Sequence, residues 1–308
     1  MDDRLRDRIR GIAVGAAVGD ALGMPLEFRP RRPAHQLVRE MLGGRLPSGT
    51  FTDDTEMALA VAESLLAHLP LDPEDLGTRF LGWFRMMPTD VGVHTKAVLE
   101  IMDLGEDWEA ASKEAQRINP DSAGNGSVMR CWPVAVVHRS DLERLLADSQ
   151  LQSRVTHAHP ECGASCAFVN AAIYWLLSGV EPAQAVAKAV EAVGDSLPSD
   201  LRLTIEDAPT LSREQLLNSG WVRHTVESAV WGLLTTSSFE EAVVQVVNLG
   251  DDTDTAGAVV GALAGAAYGL EAIPKRWRDA LRGEWPPRGR VWREADLIVL
   301  ADRLASRS

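Results

Sequence analysis

Apolar residues recur along this chain at spacings of three and four, and the pattern predicts helices almost throughout. After Thr52-Asp53-Asp54-Thr55, the positions Met57, Val61, Ser64 and Leu65 fall on one helical face. After Asp251-Asp252-Thr253-Asp254-Thr255, Ala262, Ala266 and their small neighbours form a surface that other backbones can approach closely. An apolar stretch over residues 11–26 reads as a buried helix. Further helices are expected over 73–86, 94–102, 141–149, 161–177, 182–193, 221–234 and 239–248, with Pro or Gly at most junctions. Alternating, strand-like segments are scarce, and no low-complexity tract or solenoid-length repeat interrupts the pattern. The expected fold is all-α: one compact orthogonal bundle of many helices, a single domain over residues 1–308.

Composition narrows this picture. A chain of 308 residues that is 45% apolar can bury a large core. Its net charge of −13 argues against nucleic acid or an anionic membrane as partner, because neither would attract it. Cys131, Cys162 and Cys166 have no paired spacing, which points to reduced thiols and a cytoplasmic protein. The stretch 11–26 resembles a signal peptide only superficially, since Asp2, Asp3 and Asp7 mix with the arginines before it and Asp20 interrupts it. It also reads as too short to span a bilayer.

The chemistry is concentrated in the two acidic helix starts. Asp and Thr there serve ordinarily as N-caps, and Asp53 followed by Glu56 fits a capping box. Capping does not require the second and third acid. If the two starts met, their carboxylates would resist joint ionisation unless cations neutralised them, and a pair of hard divalent ions would do so. An EF-hand reading from Asp252 fails, because Ala256 and Leu263 stand where that loop needs a ligand and its closing glutamate.

The loop Asp121-Ser122-Ala123-Gly124-Asn125-Gly126-Ser127 is a third element. Glycines flanking Asn allow successive N–H groups to converge into a nest that suits a phosphate or diphosphate, although such triplets are also plain turns. His157 and His159 precede Cys162 and Cys166, but the spacing matches no common zinc site. A histidine that contacts substrate, or one that caps a helix, fits better.

These motifs, taken in order, resemble the ADP-ribosylglycohydrolase family, in the style of its bacterial dinitrogenase-reductase-activating branch. The resemblance runs from Gly19-Asp20-Ala21-Leu22-Gly23 and Glu27 through Thr52 to Thr55, Thr89-Asp90-Val91-Gly92, Gly124 to Ser127 with Met129-Arg130, Thr156-His157 and Ser219-Gly220-Trp221, and closes at Asn248 to Thr255. It implies an all-helical fold with a two-metal centre at helix N-termini, holding Mg2+ or Mn2+, that cleaves ADP-ribose from a modified acceptor. By motif, Thr52, Asp53 and Asp54 would hold one ion and Asp252 and Thr255 the other, with Asp254 shared. Glu27, Asp53, Asp54 and Asp254 would be catalytic. Gly92, Asp121, Ser122, Gly124, Asn125, Gly126 and His157 would surround the diphosphate and distal ribose. Ala123 stands where some relatives carry an aromatic residue, which shifts stacking to Phe51 or Trp132.

The residue types suit this chemistry, because oxygen ligands favour hard cations and two ions can hold ribose hydroxyls while acidifying a water. The implied partner is an ADP-ribosylated protein, with arginine-type linkage the first choice, or a small ADP-ribosylated molecule, handled by a monomer. Two alternatives stand beside it: a non-catalytic ADP-ribose-binding or structural protein of the same fold, and a hydrolase of another nucleotide glycoside.

Overall fold

The computed structural model describes residues 1–307. In chain order the helices are α1 (Asp3–Gly23), α2 (Asp53–Ala67), α3 (Pro73–Arg85), α4 (Val93–Asp103), α5 (Trp108–Ile118), α6 (Trp132–Val137), α7 (Leu142–Arg154), α8 (Pro160–Leu177), α9 (Pro182–Val193), α10 (Ser199–Asp207), α11 (Val222–Thr235), α12 (Phe239–Val247), α13 (Thr253–Tyr268), α14 (Lys275–Ala280) and α15 (Glu294–Arg307). The expected runs coincide with α2, α3, α4, α7, α8, α9, α11, α12 and α13. Helices α5, α6, α10, α14 and α15 lie outside them. Of these, α5 buries only Ala111, Ser112 and Ala115, with Trp108 packed against the core, while charges dilute the leucine stripe of α15. A short antiparallel hairpin, β1 (Gly283–Trp285) with β2 (Arg290–Trp292), is the strand content among the described residues.

Helix α1 begins well before the apolar stretch, because Asp2 caps it and accepts from Leu5 N at 2.7 Å. With the turn that follows, Asp3–Leu26 spans 24 residues, long and apolar enough to cross a membrane by length and composition, which corrects the expectation that it is too short. Its apolar window is instead 89% buried inside the protein. Helix α13 takes up that surface.

Glycine spacing explains how closely the two helices approach. Gly11, Gly15, Gly19 and Gly23 recur one turn apart on α1. A Cβ added to them would lie 2.6 Å from Gly265 O, 2.4 Å from Gly261 O, 1.9 Å from Gly257 O and 2.3 Å from Thr253 O. The descending partner numbers make the pair antiparallel, and any side chain on this seam would force the backbones apart. The C-terminal end of α1 is thereby laid against the N-terminal end of α13. Thr253 Oγ1 ties the ends together by donating to Gly23 O at 2.9 Å. One apolar core, from Ile9 to Ala305, surrounds this seam.

Candidate functional site

Asp20 brings the first acidic start to this junction. It is fully buried on α1 and accepts from Thr52 N, Thr52 Oγ1 at 2.8 Å, Thr55 N at 3.2 Å and Thr55 Oγ1 at 2.6 Å. Hydrogen bonds to a charged acceptor contribute about 1.5–3 kcal/mol each, so the start of α2 is held firmly. The expected capping box does not form: Thr52 gives no side-chain cap, and Glu56 accepts from Trp83 Nε1 at 2.7 Å. Asp252, the N-cap position of α13, makes no side-chain cap either. Both acidic starts therefore leave carboxylates uncommitted to their own helices.

Glu27 is placed by a backbone clamp. Phe28 N donates to Asp251 O at 2.8 Å and Asp251 N to Arg29 O at 3.1 Å, with Phe28 and Asp251 both left-handed at φ 57° and 55°. Non-glycine residues adopt that conformation only at some cost, and such residues gather at functional sites. The clamp puts Glu27 beside the start of α13. Oxygens of Glu27, Asp252 and Asp254 lie within 4.8 Å of one another.

These acids close one end of a cavity of about 540 Å³ lined by Glu27, Asp53, Asp54, Asp90, Asp252, Asp254 and Thr255. Burial, then the charges of Asp90 and Asp20, pushes Asp53 well above the usual carboxylate range. Asp54 and Asp254 are raised likewise, first by burial and then by neighbouring acids. Burial lifts Glu27 to about 7 despite the opposing Arg45. Asp54 Oδ1 and Glu27 Oε2 are buried without hydrogen-bond partners. Hard oxygen donors, like charge and orphaned lone pairs together fit divalent cations.

The other end is lined by Gly92, His94, Ser122, Gly124, Asn125, Gly126 and His157. Asn125 is a strut: its Nδ2 donates to Asp252 Oδ2 and Thr225 Oγ1, both at 2.9 Å, and its N–H to Gly220 O at 3.0 Å. The expected convergence of successive N–H groups into an anion nest is thus corrected at Asn125. The Asn125 N–H is already used, and neither Gly124 nor Gly126 has positive φ. Smallness is what matters at Gly126, where a Cβ would press on His157 Cε1 and Thr95 Oγ1, each at 3.0 Å.

Buried Arg130 orients His157. Arg130 Nη2 donates to Thr156 Oγ1 at 2.8 Å, which leaves the threonine proton for His157 Nδ1, also 2.8 Å away. Burial keeps the imidazole neutral, with its pKa well below the ordinary value. Its proton therefore sits on Nε2, facing Gly124 and Gly126. His94 adds a second imidazole, 4.8 Å from the first between centroids, with Nδ1 3.0 Å from Ser122 Oγ.

Two expected residues do not reach the cavity lining. Asp121 is exposed, because the turn that bonds Ser122 N to Asn119 O directs it to solvent. Thr52 points its hydroxyl to Asp20, with only a long 3.4 Å contact to Asp54 Oδ2. Phe51 and Trp132, offered for stacking, are buried elsewhere, Phe51 against Gly283; the aromatic residue lining the cavity is Phe28, 78% exposed. His159 caps α8 by accepting from Glu161 N, and Cys162 Sγ donates to Gly124 O at 3.3 Å, so these residues assemble no zinc site. Asp20, Asp90, His94 and Arg45 have site positions that sequence reasoning gave no role. An acid inside an apolar helix was the available signal for Asp20.

A profile of the ADP-ribosylglycohydrolase family matches residues 1–308. The chain is 35% identical over 273 residues to the ADP-ribosylarginine hydrolase Tri1 of Serratia proteamaculans, covering 84% of this chain and 71% of that one. It is 33% identical over 250 residues to the ADP-ribosyl-[dinitrogen reductase] glycohydrolase of Rhodospirillum rubrum, covering 79% and 78%. A solved structure described as an ADP-ribosylglycohydrolase-related protein complex superposes with a TM-score of 0.84 at 34% identity over 100% of both chains. The chain belongs to the ADP-ribosylglycohydrolase family and is a hydrolase.

Proposed function

We propose that this protein hydrolyses the bond between ADP-ribose and a guanidinium-type acceptor, an ADP-ribosylated arginine side chain or a small analogue, with two divalent ions, Mg2+ or Mn2+. The observation that carries the reading is the convergence of two acidic helix starts on one cavity, where Asp54 Oδ1 is buried without a hydrogen-bond partner and oxygens of Glu27, Asp252 and Asp254 lie within 4.8 Å of one another. Asp53, Asp54, Asp252, Asp254 and Thr255 would hold the ions. When bound, these supply charge neutralisation and Lewis acidity at the ribose.

The chain's own groups divide the remaining work. Glu27, lifted toward neutrality by burial, is suited to take a proton from the attacking water. His157, fixed as a neutral Nε2 donor, and the small Gly124 and Gly126 beside it suit the diphosphate end of the substrate. Asn125 couples the two ends by holding Asp252. A guanidinium acceptor is supported by the relatives' names and by the acidic corner itself, where the guanidinium of Arg45 already lies beside Glu27 and Asp90. The free, buried cysteines support a cytoplasmic setting.

The test is release of ADP-ribose, followed chromatographically, from ADP-ribosylated arginine and serine peptides with Mn2+, Mg2+ or chelator. Cleavage of the arginine linkage with either ion, lost on chelation and restored by metal, is expected. Undiminished turnover by protein shown by elemental analysis to be metal-free would end the two-ion reading, and preference for the serine peptide would end the guanidinium one.

A further inference from the structure

The loop joining α1 to α2 carries Arg45 across the acidic end of the cavity. One nitrogen, Nη2, lies 2.7 Å from Glu27 Oε2, against Asp90 Oδ2, and 3.7 Å from Asp254 Oδ2. Guanidinium groups hold carboxylates best through a two-pronged fork, yet here a single nitrogen serves three acids. Glu27 Oε2 keeps no directed hydrogen bond despite this contact. Arg45 thus acts as a point charge. Its side chain is 40% exposed, whereas those of Glu27 and Asp254 are 12% and 4% exposed, so it reaches into a buried cluster from a solvent-facing loop.

Glu27 and Asp254 belong to the trio whose oxygens converge within 4.8 Å. A divalent ion using those oxygens would place its charge beside Nη2, and two positive charges so close repel strongly in a partly desolvated site. The occupants exclude each other. Without some cation, however, the clustered acids would repel one another.

We propose that Arg45 is a resident counter-ion that neutralises the metal-free centre and must withdraw from Glu27 and Asp254 when metal binds. This rests on the two-ion reading above. It gives Arg45 a positioning role: the residue lends stability to the empty protein and weakens its affinity for the ion. Asp90 remains as the acid to which the withdrawn guanidinium can stay paired.

The test uses the full chain, stripped by chelator, as wild type, Arg45→Gln and Arg45→Lys. MnCl2 titrations by calorimetry and thermal unfolding in EDTA are measured for each. Arg45→Gln should bind Mn2+ about tenfold more tightly, the size of one partly buried charge contact. It should also melt at lower temperature in EDTA but not in saturating Mn2+. Arg45→Lys, which keeps the charge, should stay nearer wild type on both measures. Equal or weaker Mn2+ binding by Arg45→Gln, or an unchanged melting temperature in EDTA, overturns the counter-ion role while leaving the two-ion reading intact if wild type binds Mn2+. Absence of Mn2+ binding in all three proteins overturns both.

Discussion

Along the seam between α1 and α13, two backbones touch through glycines and packing and burial act in the same direction. One turn further, the same helix ends present Asp20, Asp252 and Asp254 with Glu27 just beyond, and there burial acts against charge. The seam is closed by backbone contact alone, while the acidic corner gathers buried like charges, with Asp54 Oδ1 bonded to no donor and Arg45 the cation beside Glu27 and Asp254. The contrast shows how a candidate site can be kept poised. A close helix pair supplies the rigidity that lets several like charges stay together, and the concentration of carboxylate oxygens at its end is what a cation can use.

The largest effect expected of a single substitution on stability tests the seam. In Gly257→Ala the new Cβ would lie 2.4 Å from Gly19 O, with no flexible side chain to give way, and stability should fall by about 3 kcal/mol. The same change at Gly82, where no atom lies within 4 Å, should be neutral or add about 0.5–1 kcal/mol through helix propensity. Urea unfolding compares them directly. Equal midpoints for the two variants would mean that the seam is looser than described.

The next effect inverts the sign at the corner. Asp254→Asn removes a buried charge that Asp54 and Asp252 repel, so the metal-free variant should melt above wild type. Its Mn2+ affinity should fall by roughly a hundredfold, because a neutral amide is a poorer ligand for a hard cation. Glu27→Gln should keep more metal and lose chiefly turnover. Calorimetry together with single-turnover hydrolysis separates the two roles, and full metal content in Asp254→Asn would show them misassigned.

A further effect is the pH dependence of the metal-free protein. Burial raises Glu27 and Glu56 to about 7 from 4.5 and Asp20 to about 6 from 3.8. Groups raised in the folded state bind more protons there than in the unfolded chain, so their contribution is greatest at low pH and declines as pH rises from about 4 to 7. Melting temperature in EDTA should therefore decrease across that window, and saturating Mn2+ should flatten the decline above pH 6 by favouring the ionised acids. A metal-free profile that rises from pH 5 to 7 would contradict the assigned shifts.

The sequence by itself determined the helical class, most helix positions and the two acidic starts, because periodicity and cap-forming residues act over a few neighbouring positions. It also located Gly92, Gly124, Asn125, Gly126 and His157, all of which line the cavity. Only the tertiary structure decided what those residues do with their atoms. Asn125 looked like part of an anion nest and is a strut to Asp252, Asp20 looked like a break in an apolar helix and holds Thr52 and Thr55, and Glu56 looked like a capping-box member and bonds Trp83. The physical reason is distance along the chain. Gly23 and Thr253 meet across 230 residues, and a carboxylate's hydration, charge neighbours and free lone pairs are set by such meetings, as is the placement of Arg45 among three acids, for which no local pattern exists.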